Sequence, residues 1–189
     1  RIAHSVPIFM VLGNHDGERG SDPDMSEWSL GMRHTYFPNP TDGNDKHSYY
    51  AFDWGNALLV ALDPFWATTK RSEDNWSATL GETQYRWLTK VLTSSKAKFK
   101  FVFIHHLVGG LGRDSRGGVK TAPYMEWGGK NADGTDGFAG HRPGWEMPIH
   151  QLLVKNHVSV VFHGHDHLYA KEELDGIIYQ EVPQPSHPS

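Results

Sequence analysis

Histidines follow an apolar run near the end of this sequence, in a pattern suited to binding a metal ion. Residues 158–163 are mostly β-branched or aromatic, Gly164 ends the run, and His165 and His167 stand one residue apart just beyond it. A short apolar run of this kind predicts a buried strand. Two imidazoles at this spacing can reach neighbouring positions of a site for a transition metal such as Zn or Fe.

Two earlier runs repeat this arrangement. Residues 6–12 lead into Gly13-Asn14-His15-Asp16, and residues 99–104 lead into His105-His106. Ligands of open α/β sheets bind at the carboxyl ends of the strands. We therefore expect the three strands to bring their polar ends to one site.

Each of these groups also has a simpler interpretation. Asn and Asp favour turns, so residues 14–16 could be a turn after a strand and residues 165–167 a polar loop. His105 could be a core histidine. The case for a metal site rests on the three groups occurring together, each after a predicted strand.

The three motifs, in this order, resemble those of the calcineurin-like metallophosphoesterases, the superfamily that includes purple acid phosphatases. Residues 13–16 resemble the GNH[DE] motif, His105-His106 the penultimate histidine motif, and residues 164–167 the GHxH motif. The resemblance implies an α/β fold, in which a mixed β-sheet with helices forms part of a four-layer αββα sandwich. It also implies hydrolysis of phosphate mono- or diesters through a metal-bridging hydroxide at a dinuclear centre.

The same resemblance implies roles for single residues. One metal ion would be held by Asn14, His105 and His165, and the other by His167 with further ligands. The two ions would be divalent or trivalent, such as Fe, Zn or Mn. His15 would stabilise the transition state or protonate the leaving oxygen, and Asp16 would orient His15 by accepting a hydrogen bond.

The chain departs from the family at its start. The family normally has two earlier motifs, D-x-H and G-D-x-x-D, which supply an Asp, a His and a bridging Asp. Neither precedes the first predicted strand, so residues 1–189 are interpreted as a single, N-terminally truncated metallophosphoesterase domain. Because two metal ions need anionic bridging groups, two alternatives stay open: a metal-binding fragment or pseudoenzyme of impaired activity, and a Trp-rich binding module.

A Gly- and Trp-rich stretch over residues 107–146 is predicted to be an active-site loop, packed down by Trp127 and Trp145. Its His141 and Arg142, and His106 just before it, are candidates for substrate contacts. The alternatives are a packed neighbour of the ligand histidine for His106 and solvated surface groups for the other two.

Composition limits the remaining choices. The chain of 189 residues suits one domain, and its net charge of −4 gives no basic footprint for nucleic acid. The absence of cysteine excludes disulfides and thiolate ligands. No apolar run has the length of a membrane span, so we expect a soluble protein. The family resemblance implies that its partner is a small phosphate-ester substrate. Compartment, including a secreted or periplasmic one, and oligomeric state stay open.

Periodicity and turn residues predict the remaining elements. We expect a helix near Met25–Met32 capped by Asp24 or Ser26, an amphipathic helix over 82–93 and a short helix over 147–156. Hairpins are predicted at 48–62 and at 168–182, the second through an Asp175-Gly176 type I′ turn.

Overall fold

A computed structural model describes residues 5–16, 23–37, 39–40, 47–68, 75–110 and 117–184. Its helices are α1 (Pro23–Tyr36), α2 (Gly81–Ser94), α3 (Gly118–Thr121), α4 (Met125–Gly128), α5 (Phe138–His141) and α6 (Ile149–Lys155), with a 3-10 turn at Asn75–Ser77. Its strands are β1 (Tyr50–Trp54), β2 (Ala57–Ala61), β3 (Phe99–Phe103), β4 (Val160–His163), β5 (Ala170–Leu174) and β6 (Ile177–Glu181). None of the helices in these ranges is long and apolar enough to cross a membrane.

The six strands form one mixed sheet in the order β1-β2-β3-β4-β6-β5. The inner strands β2, β3, β4 and β6 run parallel, and the outer strands β1 and β5 are antiparallel to their neighbours. The predicted α/β class with a mixed sheet is confirmed. Because four strands run parallel, their carboxyl ends lie at one edge, which is where His105 and His165 emerge.

Both predicted hairpins form. Residues 55–56 join β1 to β2, and Asp175-Gly176 joins β5 to β6. Asp175 and Gly176 have φ angles of 51° and 80°, which fits the left-handed pair of a type I′ turn. The turn residues therefore set the register of both outer strands.

The hydrophobic core lies between one face of the sheet and the helices α2 and α6. Val60, Val102 and Val161, one from each of three neighbouring strands, are fully buried in it. Helix α2 contributes Tyr85, Leu88 and Leu92, which share one side of the helix. This face fixes β3 and β4, the two strands that carry the histidines.

Residues 6–12 are not a strand, contrary to the prediction. Their segment joins no sheet in the described part of the chain, and side chains hold it instead. The Met10 N–H donates to Asn39 Oδ1 (3.1 Å), and the Met10 carbonyl accepts from Tyr50 Oη (3.0 Å). Apolar composition alone does not make a strand, because a strand also needs a neighbour for its backbone groups.

Helix α1 is longer than predicted and begins at Pro23. Proline suits the first turn of a helix because its fixed φ is helical and it has no N–H to satisfy. Asp24 and Ser26 lie inside the helix, so neither is its N-cap. The expected capping role of these two residues is wrong.

The stretch 107–146 has no long element, as its irregular pattern predicted, and contains only α3, α4 and α5 among its described residues. Its described part is packed against the sheet through Trp127. Trp127 is fully buried, and its Nε1–H donates to Tyr179 Oη on β6 (3.0 Å).

A buried ion pair ties this stretch to the start of α2. Glu126 forms a charged hydrogen bond with Arg142, accepts the Leu80 N–H (2.8 Å), and accepts the Thr79 hydroxyl (2.5 Å). Glu126 is completely buried. Burial raises the pKa of its carboxyl, and the Arg142 guanidinium opposes that shift.

Candidate metal centre

The carboxyl ends of β3 and β4 place His105 and His165 side by side. The Gly164 N–H donates to the His105 carbonyl (3.0 Å), so the ladder between the two strands continues one step past their ends. The segment that ends in Asn14 reaches the same edge from residues 5–12. Although that segment is not a strand, its polar end lies where the sequence predicted.

Three predicted ligand atoms meet at one point. His105 Nε2 lies 2.8 Å from Asn14 Oδ1 and 2.9 Å from His165 Nδ1. Two ligand atoms that share a metal ion at about 2.0–2.1 Å lie roughly 3 Å apart, so these side chains need little movement to hold one. Their N and O donors suit Zn, Fe or Mn.

The protonation of His105 favours the same use. Burial, followed by the neighbouring His165, lowers the pKa of His105 to about 4. The imidazole is therefore neutral at neutral pH, which is the form that binds metal ions.

His106 belongs to this cluster more closely than its sequence position suggested. One ring nitrogen from each of His105, His106 and His165 lies within 4.8 Å of the others. His106 is buried, and its ring lies 5.3 Å from that of Phe65. The sequence offered no way to tell which way the second histidine of the pair points, because it directly follows the strand.

His167 lines the same cleft but lies outside that group of three. Both His165 and His167 have positive φ angles, 87° and 60°. Residues other than glycine seldom adopt such angles, so the turn through residues 164–167 has a specific, strained conformation. This turn places the side chains of His165 and His167 along the cleft.

His15 and Asp16 lie at the exposed lip of the cleft. Asp16 Oδ2 accepts the Gly13 N–H (2.6 Å), closing a tight turn around Asn14. Short acidic side chains often bond to nearby backbone in this way. Asp16 thus orients the motif through a bond to Gly13. The sequence had predicted a bond to His15 instead.

The cleft has a volume of about 370 Å³. Its polar lining comes from Asn14, His15, Asp16, His105, His163, His165, His167 and Gln184. Among these described residues Asp16 supplies the single carboxylate. An ordinary dinuclear centre needs more anionic ligands than the described residues bring here.

His141 and Arg142 are not among the residues that line this cleft. The His141 ring stacks on Trp76 (centroids 4.4 Å apart), and Arg142 Nη2 donates to the Trp76 carbonyl (2.6 Å) as well as binding Glu126. These contacts give Arg142 a structural role. The expected substrate contacts of both residues find no support in this arrangement.

The chain does contain one literal D-x-H sequence, Asp45-Lys46-His47, although it follows the GNHD motif instead of preceding it. Asp45 lies outside the described residues. His47 is buried and stacks on Tyr49 (centroids 3.7 Å apart), and it is not among the residues that line the cleft.

The turn after β2 packs beside the histidines. Asp63 Oδ1 accepts the N–H groups of Phe65 (2.8 Å) and Trp66 (3.0 Å), which places the Phe65 ring against His105 and His106. Burial raises the pKa of Asp63 to about 6. The sequence showed Asp63 only as the end of a hairpin.

This pKa predicts a pH dependence of stability. Because the folded-state pKa of Asp63 lies above the unfolded value of about 3.9, the folded protein binds more protons between about pH 4 and 6. Its stability should therefore fall as the pH rises through that window and level off above it. We expect Asp63→Asn, which keeps the accepting oxygen, to remove this slope and to raise the free energy of unfolding at pH 7.5 by up to about 3 kcal/mol.

Urea unfolding at pH 4.5 and 7.5 measures this effect. The exposed Asp53 on β1 provides a control, since Asp53→Asn should change stability by less than about 0.5 kcal/mol. A less stable Asp63→Asn protein at pH 7.5 would show that the ionised carboxylate is needed in the turn.

Comparisons with known proteins agree with this architecture. The sequence profile of the calcineurin-like phosphoesterase family matches residues 1–169. A solved purple acid phosphatase, PPD1 from yellow lupin (Lupinus luteus) seeds, is similar with 18% identity and a TM-score of 0.47, covering 92% of this chain and 29% of that one. GAP50, described as the anchor in the inner membrane complex of Plasmodium, has 14% identity and a TM-score of 0.50, with 95% and 50% covered.

A search of curated proteins gives no match. The chain spans 29% of the lupin phosphatase and 50% of GAP50. At such low identity the likeness to GAP50 concerns the fold alone.

Proposed function

The chain belongs to the calcineurin-like phosphoesterase family, and from this membership we propose that it binds metal ions at the carboxyl edge of its sheet and hydrolyses phosphate esters there. The observation that carries the proposal is that His105 Nε2 lies 2.8 Å from Asn14 Oδ1 and 2.9 Å from His165 Nδ1. The proposed substrates include both phosphate monoesters and phosphate diesters.

The residues of the site would have separate roles in metal binding and in proton donation. Asn14, His105 and His165 would hold one metal ion, with His106 buried beside them. A bound ion would polarise the phosphate ester and lower the pKa of a water molecule. His15, exposed at the lip, would donate a hydrogen bond or a proton to the oxygen that leaves.

A second metal ion would draw on His167, on the same strained turn. This part of the proposal needs carboxylate ligands beyond Asp16, which the described lining does not include. The proposed dinuclear centre, with Fe, Zn, Mn or a similar pair of metals, therefore belongs to the complete enzyme rather than to the described residues alone.

The test is hydrolysis of p-nitrophenyl phosphate and bis(p-nitrophenyl) phosphate by the chain after loading with Mn²⁺, Zn²⁺ or Fe²⁺. We expect a rate that disappears with EDTA. His15→Ala should lower kcat by about 10²–10⁴-fold with a smaller change in KM, because the imidazole acts on the leaving oxygen.

His157→Ala is the matched control, since His157 is an exposed histidine at the amino end of β4. It should leave kcat and KM unchanged. Equal losses in both variants, or hydrolysis that survives EDTA, would contradict the proposal.

The second candidate function is a metal-binding scaffold with impaired or no hydrolysis. It is favoured by the single carboxylate in the described lining of the cleft. Tight metal binding without hydrolysis of either ester would favour this candidate. A Trp-rich binding module, which needs no metal, would be favoured only if the histidines bound none.

A further inference from the structure

The turn that carries His165 and His167 needs an external hold. Both residues have positive φ angles, and such angles in residues other than glycine persist only where the surroundings fix them. Asp166 lies between the two histidines, so the direction of its backbone N–H determines the path of the whole turn. A group that binds this N–H therefore restrains the turn from which both imidazoles project.

That group is Glu181, at the end of β6. Its Oε1 accepts the Asp166 N–H (3.2 Å). Strand β6 pairs with β4 in a register that sets Glu181 opposite His163, and the side chains of both are almost completely buried. Strand β6 thus provides a buried carboxylate that is hydrogen-bonded to the turn.

The His163 ring packs against the carboxylate of Glu181. The Gly118 N–H donates to His163 Nε2 (3.2 Å), so this nitrogen is an acceptor. The other ring nitrogen, Nδ1, lies 2.5 Å from Glu181 Oε2. Each carboxylate oxygen of Glu181 therefore has its own neighbour: Oε1 accepts the Asp166 N–H, and Oε2 lies against the His163 ring.

The stretch 107–146 closes over this pair. A Cβ atom added to Gly117 would overlap with the His163 ring and come within 3.0 Å of Glu181 Oε2. Only glycine lets the backbone approach so closely. Gly117, directly before α3, therefore packs on His163 and Glu181.

We propose that Glu181 is a positioning residue for the metal site, acting through Asp166 on His165 and His167, with His163 and Gly117 holding its carboxylate in place. This inference rests on the metal site of the proposed function but not on hydrolysis. A buried carboxylate is costly unless its oxygens are bonded. Glu181 occupies an inward-facing position of β6, where an apolar side chain would be usual. Its carboxylate supplies two acceptor oxygens there, which an apolar side chain lacks.

Calorimetric titration of the metal-free chain with Zn²⁺, together with the visible absorption spectrum of the Co²⁺ form, tests the proposal. We expect Glu181→Ala to weaken Zn²⁺ binding by about 10–100-fold, the usual cost of losing a residue that orients a metal ligand, and to alter the Co²⁺ spectrum. Glu181→Gln has one acceptor oxygen instead of two, so it should bind Zn²⁺ with an intermediate affinity.

Glu172→Ala is the control among acidic residues. Glu172 accepts the Val119 N–H (3.2 Å), so this bond holds the start of α3 and not the turn at residues 164–167. It should leave the Zn²⁺ affinity and the Co²⁺ spectrum unchanged. Equal losses for Glu172→Ala and Glu181→Ala would mean that only general loop packing is involved, and would overturn the proposal.

Gly117→Ala keeps the test decisive if Glu181→Ala does not fold. Its methyl group should displace the His163–Glu181 pair and weaken Zn²⁺ binding, whereas Gly140→Ala, which meets no atom within 4 Å, should not. A folded Glu181→Gln or Gly117→Ala protein with wild-type Zn²⁺ affinity and Co²⁺ spectrum would overturn the proposal. Loss of hydrolysis with these affinity differences intact would instead count against the proposed function alone.

Discussion

Replacing His105 with alanine should weaken Zn²⁺ or Co²⁺ binding by at least about a hundredfold, more than the loss of a residue that merely orients a ligand. His105 Nε2 is the atom that both other ligand atoms approach, Asn14 Oδ1 at 2.8 Å and His165 Nδ1 at 2.9 Å. Burial also lowers the pKa of His105 to about 4, so its imidazole is neutral and able to bind a metal ion at neutral pH. Without it, the two remaining ligands have no common centre.

Calorimetric titration of the metal-free proteins gives the affinities, and unfolding in EDTA shows whether each variant is folded. His157→Ala removes an exposed histidine at the opposite end of β4 and should bind Zn²⁺ as the wild type does. If folded His105→Ala kept an affinity within about threefold of the wild type, far less than the change expected for a lost ligand, the histidines would not be the ligands.

Replacing Arg142 with alanine should destabilise the protein by about 3–5 kcal/mol, the usual cost of leaving one partner of a buried ion pair alone. Glu126 is completely buried, and Arg142 is its counter-charge. The loss should extend to the start of α2, because Glu126 also accepts the Leu80 N–H there. Urea unfolding at pH 7.5 measures the change.

The exposed pair Arg86–Glu82 (2.6 Å) provides the matched control. Arg86→Ala should cost less than about 0.5 kcal/mol, as solvent-exposed pairs within a helix do. Combining Arg142→Ala with Glu126→Gln should recover part of the loss, since the remaining partner is then neutral. A loss below about 1 kcal/mol for Arg142→Ala would contradict the role of the buried pair.

The same variant separates two roles for Arg142. The structural role predicts that folded Arg142→Ala keeps its metal affinity and its KM for an aryl phosphate. A direct substrate contact, which the sequence suggested for His141 and Arg142, predicts a raised KM instead.

Sequence reasoning succeeded where local patterns decide the structure. The apolar runs of β3 and β4, the Asp175-Gly176 turn and the period of α2 each depend on neighbours along the chain, so they could be predicted. The pairing of His105 and His165 followed from the rule that parallel strands present their carboxyl ends at one edge, whereas Asn14 reaches that edge from a segment that is not a strand. All three of these residues meet at the predicted edge.

Prediction from the sequence failed where the residues that contact each other lie far apart in the chain. Residues 6–12 have the composition of a strand, but no neighbouring strand in the described ranges completes one. Glu126 contacts Thr79, Leu80 and Arg142 from elements that no local pattern connects. Glu181 did leave a signal, since it is an acid at an inward position of an apolar strand, where Ile177 and Tyr179 are also buried. A buried carboxylate needs hydrogen-bond donors. The sequence does not show which residues provide them, because they come from other parts of the chain.

The metal content of the purified chain tests the central claim most directly. After incubation with Zn²⁺ and removal of unbound metal, elemental analysis should find one tightly held ion per wild-type chain and none in His105→Ala. A wild-type chain without metal would contradict the account, because three ligand atoms that meet this closely would then be only a hydrogen-bonded cluster. Two ions per chain would show that a carboxylate of this chain completes the second site.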